Sequence, residues 1–154
     1  MKTIRSSLTN TNIELHIPDF KKAKDFYGKL GFKKVWETPP KKGEKIGYLV
    51  MKRDSSIICF YCGNKEIYNH SYFKKFPKNT PKGYGVEIVI HITDQPIEKY
   101  YKKILASFER NVILKPLEMR FWGYKDFRII DPFGFYLCIS EPRDILKKPK
   151  YSLK

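Results

Sequence analysis

The chain writes one octapeptide twice with small changes, as Asn12-Ile-Glu-Leu-His-Ile-Pro-Asp19 and again as Glu87-Ile-Val-Ile-His-Ile-Thr-Asp94. Each copy alternates. Ile13, Leu15, Ile17 and Ile88, Ile90, Ile92 share one side, and Asn12, Glu14, His16 and Glu87, Val89, His91 share the other. This is the pattern of a strand with one packed face and one partly polar face. Each copy then runs through an acidic residue into a stretch with helical spacing, so the chain is expected to contain a duplicated strand-to-helix module.

In the first module, over residues 12–63, Asp19 is placed to cap a helix over 20–30. Its apolar positions Phe20, Ala23, Phe26, Tyr27 and Leu30 recur at helical intervals, and Gly31 supplies the stop. Strands are expected over 32–37, 46–52 and 57–62, separated by the Pro39-Pro40-Lys41-Lys42-Gly43 loop and by Arg53-Asp54-Ser55-Ser56. The Pro- and Lys-containing stretch 64–84 reads as a linker with a helical turn at 68–76. The second module, 85–141, repeats the order. It has a strand over 87–92, a helix from Asp94 with Ile97, Tyr100, Tyr101, Ile104 and Leu105 on one face, and strands over 113–116, 125–130 and 135–140. Asp131-Pro-Phe-Gly134 forms the last tight turn. The expected fold class is α+β: two tandem βαβββ modules whose curved mixed sheets pack a helix on one face and leave the other to line a cavity.

A single 154-residue domain of this kind can bury a core without disulfide or metal staples. The three cysteines, Cys59, Cys62 and Cys138, are an odd number and read as reduced thiols. Cys59 and Cys62 form a C-x-x-C, but a three-residue offset on a strand sends them to opposite faces, and no second pair completes a zinc site. The stretch 1–11 lacks the apolar core of a signal peptide and no segment has the length of a membrane span, so a cytoplasmic protein without a membrane partner is expected. The net charge is +15, yet only six of the 31 basic residues are Arg. Phosphate recognition favours planar Arg forks, so a scattered Lys excess reads as solvated surface, and the basic run 143–154 as a loose end.

The stretches Ile17-Pro-Asp19, Phe26-Tyr27, Leu30-Gly31-Phe32, Gly85-Val86-Glu87, Trp122-Gly-Tyr-Lys-Asp-Phe-Arg128 and Asp131-Pro-Phe-Gly134 resemble the vicinal oxygen chelate superfamily. That superfamily includes glyoxalase I, extradiol dioxygenases and the bleomycin-resistance proteins, and the bleomycin-resistance-like branch resembles this chain most. The resemblance implies the glyoxalase/bleomycin resistance fold, a homodimer, and in the enzymes a divalent metal held by one residue from the first and one from the last strand of each module. Those positions fall on Asn12, Glu87 and Cys138, with Ile57, Cys59 and Tyr61 offered by the last strand of module one. Only Glu87 is an ordinary ligand for a hard divalent ion, so the implied metal site is expected to be absent.

His16 and His91 hold matched places on the cavity side and read as rim histidines, with a metal or acid–base role as the alternative. Glu14, on the same face, needs a partner if buried; His16, Arg128 or a ligand cation would serve. Tyr48, Tyr61, Trp122, Phe60 and Tyr124 are candidate aromatic walls, with Gly47-Tyr48 and Gly123-Tyr124 read as loops over the cavity. The candidate ligand-binding set is therefore Glu14, His16, Tyr48, Tyr61, Glu87, His91, Trp122 and Cys138. The leading expectation is a metal-independent protein that sequesters a small molecule, with no cofactor. The first alternative is a metal-dependent lyase, isomerase or dioxygenase using Ni, Mn, Fe or Zn on Glu87 with His16 or His91. The second is an anion- or nucleic-acid-binding module carried by the lysines, which lacks a recognition helix or stacking platform to support it.

Overall fold

The computed structural model describes residues 11–41 and 46–148. The chain divides into two compact units, with the division between Lys78 and Asn79. In the first unit β1 (Ile13–Ile17) leads into α1 (Phe20–Lys29), then β2 (Lys33–Thr38), β3 (Gly47–Arg53) and β4 (Ser56–Cys62). The sheet order is β1-β4-β3-β2. β1 runs parallel to β4, and the remaining neighbours are antiparallel. Two 3-10 helices, Lys65–Asn69 and Phe73–Lys75, follow β4.

The alternation read from the sequence sorts the sheet into two faces. Leu15 pairs with Phe60 and Ile17 with Cys62, while Leu49 and Met51 of β3 fall opposite Phe60 and Ile58. All of these are buried, as are Ala23, Phe26 and Tyr27 of α1 and Leu30 at its end. The Tyr27 ring lies 5.0 Å from that of Phe60, which seats α1 on this face. Each such side chain contributes about 1.5–3 kcal/mol on burial. Asp19 caps the helix, its carboxylate accepting from the Lys22 amide at 3.0 Å. Glycine is required where the strands meet the start of the helix. A Cβ on Gly63, whose φ is +79°, would stand 2.8 Å from the Phe20 ring, and one on Gly47 would meet both that ring and the Thr38 carbonyl.

The second unit repeats the plan with β5 (Glu87–His91), α2 (Ile97–Ser107), a 3-10 turn at Arg110–Val112, β6 (Ile113–Met119), β7 (Lys125–Ile130) and β8 (Tyr136–Ser140). Its order is β5-β8-β7-β6, again with the first pair parallel. Ile88, Ile90, Phe127, Ile129, Leu137 and Ile139 are buried, and the Tyr101 ring of α2 lies 4.8 Å from Phe127. Asp131 Oδ1 accepts from the amides of Phe133 and Phe135, closing the Asp131-Pro-Phe-Gly134 turn.

The fold class is therefore the expected one, with local differences. Ile13 stands on the helix side yet is 41% exposed at the strand's start. The second helix begins at Ile97, not at Asp94, because Pro96 disfavours helical geometry for Gln95 before it. Leu105 is exposed. β6 continues past Pro116, which an edge strand accommodates with two irregularities in its pairing to β7. Gly47-Tyr48 opens β3 and is not a loop, whereas Gly123-Tyr124 does lie in the β6–β7 connection. Residues 1–10 of the N-terminal stretch, Lys42 and Gly43 of the expected loop and residues 149–154 of the basic run lie outside the described residues. Among the described residues no helix is long and apolar enough to cross a membrane.

Asp19→Ala is expected to lower the unfolding free energy by about 1 kcal/mol, as read by urea denaturation. Gly63→Ala, which strains the backbone and drives a methyl into Phe20, is expected to lower it by more.

Candidate functional site

The face of the first sheet turned away from α1 carries a row of rings. Strand parity brings Trp36, Tyr48, Tyr61 and His16 to this side from β2, β3, β4 and β1, with Tyr48 directly opposite Tyr61 and Tyr61 opposite His16. The Trp36 and Tyr48 rings stack at 5.3 Å and 17°. Tyr48 and Tyr61 meet edge-on at 6.4 Å, and Tyr61 and His16 lie 4.6 Å apart. The segment after β4 extends the row. His70 and Phe73 stack on each other at 4.3 Å, and both present edges to His16, at 5.1 and 5.2 Å. His70 Nδ1 accepts from the amides of Tyr72 and Phe73 at 3.2 Å each, so the His70 ring is fixed as part of the turn.

One carboxylate sits within this row. Glu14 Oε2 accepts from the Tyr48 hydroxyl at 2.7 Å, and Oε1 lies 3.2 Å from His16 Nε2. Burial, followed by the hydrogen bond to Glu14 and the nearby Cys59 thiol, raises the Tyr48 pKa well above the ordinary phenol value. The phenol therefore stays protonated and acts as a fixed donor to Glu14. Glu14 is register partner to Cys59, whose Sγ also receives the Asn12 amide at 3.7 Å.

The matching face of the second unit holds charges in place of rings. Arg128, 8% exposed, stands opposite Cys138 and donates to its sulfur. Its Nε lies 3.2 Å from Glu87 Oε1 and its Nη1 2.8 Å from Asp126 Oδ1. Asp126, 1% exposed, also binds Arg120 Nε at 2.6 Å, and Arg120 reaches Glu118. Burial pushes the Cys138 thiol up to about 12, with Asp126 and Glu87 adding to the shift against the opposing pull of Arg128. His91 Nδ1 lies 3.0 Å from the Glu141 carbonyl oxygen.

The positions aligned with the superfamily's metal ligands do not fit a divalent ion in this arrangement. Glu87 is engaged by Arg128, a cation already in contact with its carboxylate, and the Cys138 thiol is held protonated. His91 is held at the far end of β5 from Glu87 by a main-chain carbonyl. Among the described residues no group of three His, Cys, Asp or Glu side chains could hold a metal ion.

Of the expected ligand set, the structure brings Glu14, His16, Tyr48 and Tyr61 together on one face. Glu87 and Cys138 join through Arg128 on another. Trp122 lies in the β6–β7 connection with its ring 4.6 Å from Phe121, and His91 stands at the end of β5. Phe60 is not a wall of the open face. It is fully buried against Tyr27, because its place between Cys59 and Tyr61 turns it to the helix. The sequence reading missed Trp36, His70 and Phe73. Trp36 lies on an edge strand whose alternation is broken by a register shift between Lys34 and Trp36, and the other two lie in the stretch read as a linker.

The family model described as the Glyoxalase/Bleomycin resistance protein/Dioxygenase superfamily matches residues 11–139. No curated protein matches the sequence. Among solved structures, a protein of unknown function from Agrobacterium tumefaciens str. C58 is similar at a TM-score of 0.64 and 16% identity, covering 91% of this chain and 98% of its own. A bleomycin-binding protein complexed with bleomycin is similar at 0.58 and 16%, covering 88% and 100%. The glyoxalase family protein from Enterococcus faecalis is similar at 0.60 and 21%, covering 88% and 98%. At these identities the likeness to solved structures concerns the fold. The match over residues 11–139 carries the assignment: the chain belongs to the glyoxalase/bleomycin resistance protein/dioxygenase superfamily.

Proposed function

We propose that the protein binds and sequesters a small molecule without a metal, and that the open face of the first unit is where the ligand sits. The observation that carries this reading is the row of rings from Trp36 to His16 with the Glu14 carboxylate in its midst. Trp36 remains 48% exposed although it is stacked on Tyr48, so a large apolar ring is left against solvent at a place where a second ring can cover it. Such a surface, with a few oriented polar groups, suits a flat organic ligand. The superfamily membership supports the reading, and so does the relative whose structure holds bleomycin.

The mechanism is retention, not bond-making. Tyr48 and His16 are both directed at Glu14, which fixes the carboxylate in place, and Trp36 with Tyr48 forms a flat slab beside it. A ligand is then held by stacking area and one fixed acceptor. Metal independence is argued from the second unit, where Arg128 spans Glu87, Asp126 and Cys138 and supplies the positive charge that their arrangement requires.

In a screen of small aromatic compounds by thermal unfolding, hits are expected to raise the midpoint by several degrees and to lose that effect in Trp36→Ala. A screen in which no compound stabilises the protein would overturn the reading. Nickel, manganese, iron(II) or zinc added to EDTA-treated protein is expected to leave the midpoint unchanged. Arg128→Ala removes one of the two cations on buried Asp126 and the partner of the exposed Glu87, and is expected to reduce stability by about 2 kcal/mol in denaturant titration. The thiol shift gives a pH signature. The folded-state pKa of Cys138 is raised to about 12, so its contribution is fully present below the ordinary thiol pKa and is lost as pH rises towards 12. Relative to Cys138→Ala, the wild type is expected to lose about 1 kcal/mol of unfolding free energy between pH 8 and pH 10.

A further inference from the structure

We infer that the ligand of the first unit's open face is a flat aromatic ring carrying a protonated, hydrogen-bond-donating nitrogen, selected jointly by Trp36 and Glu14. This rests on the small-molecule reading above and names the chemistry of that site.

The stack supplies the first half. Trp36 and Tyr48 are nearly parallel, so the outer face of the half-exposed indole continues a pile of rings already begun. A flat ring extends it with offset stacking, and the electron-rich indole face attracts a ring that carries positive charge more than one that does not.

Glu14 supplies the second half. A carboxylate offers about four acceptor positions. Among the described residues the Tyr48 hydroxyl donates to one oxygen and His16 Nε2 lies 3.2 Å from the other, and the side chain keeps 36% of its surface exposed. An ionised carboxylate only accepts, so any ligand group there must donate. A charged donor gains roughly twice what a neutral one does. An anionic group would instead face the carboxylate directly.

The protein's overall charge of +15 argues the other way at long range, and distance decides between the two. Strand parity puts Lys52 of β3 on this face, in register with Lys33 of β2 and two residues along from Val50, which pairs with Trp36. Lys52 stands four residues along β3 from Tyr48, whereas the Glu14 carboxylate accepts the Tyr48 hydroxyl at 2.7 Å. Glu14, which touches Tyr48 directly, therefore sets the local preference.

The test uses three acridines of the same shape on the full chain carrying Trp122→Phe, which leaves Trp36 as the one tryptophan. 9-Aminoacridine is the cation, acridine the neutral ring and acridine-9-carboxylate the anion, titrated at pH 8, where an ordinary imidazole is neutral. Binding is read by quenching of Trp36 emission and by calorimetry, with circular dichroism to confirm the fold of each variant. The cation is expected to bind about tenfold or more tightly than acridine, and the carboxylate most weakly of the three. Glu14→Gln, which keeps the shape, is expected to remove that preference while acridine binds as before, and Trp36→Ala to weaken both. Glu14→Asp, which keeps the charge, is expected to retain part of the preference. If the anion binds as tightly as the cation, or Glu14→Gln leaves the preference intact, the charge selection is wrong and the small-molecule reading survives. If none of the three binds the folded protein, both fall.

Discussion

Parallel pairing of the first and last strand of each unit is the constraint on which the rest depends. In the first unit β1 meets β4 with Leu15 on Phe60 and Ile17 on Cys62, and the burial of those pairs under α1 fixes the register. A slip of one residue would turn every inward side chain to the opposite face, so the apolar side leaves no freedom to the other side. Glu14 on Cys59 and His16 on Tyr61 are consequences of that packing. The core thus determines which groups can meet on the open face before any ligand is considered.

The two units carry this frame to different ends. The first fills its open face with rings that touch at 4.6 to 6.4 Å, and includes one carboxylate whose partners, a phenol and an imidazole, are not permanent charges. The second carries Arg128, Asp126 and Glu87 on its corresponding face, with Arg120 reaching Asp126 from just past β6, joined over 2.6 to 3.2 Å. Removing one member of such a network leaves another charge buried and uncompensated, whereas exchanging one ring for another changes only area and shape.

What could be read from the sequence follows from the range of the interactions involved. The repeat at Asn12 and Glu87 showed the strands, their faces and the helix after each, because alternation and capping are local patterns. It puts Glu14 and His16 on the open side, while Tyr48 and Tyr61 read only as candidate aromatic walls, Tyr48 in a loop, and the cross-strand registers bring the four together. Pro96 is as local a signal as Asp94, and it sets the start of α2 at Ile97. Trp36 was hidden for a different reason. A register shift beside it breaks the alternation, and nothing in β2 itself reveals that Tyr48 will lie under its ring. Arg128 was legible as a possible partner of Glu14, yet its contacts are with Glu87, Asp126 and Cys138. That choice is made by the β7–β8 register, a long-range property.

These differences decide where ligand specificity can change without loss of the fold. Arg128 and Asp126 are nine-tenths buried or more and answer each other's charge, so substitution there is opposed by the stability of the second unit itself. Trp36 lies on an edge strand, half exposed, with one stacking partner recorded across the sheet. Replacing it removes ligand contact area but little core. The first unit's open face can therefore be altered ring by ring while Leu15, Ile17 and Phe60 continue to hold the strands in register beneath it.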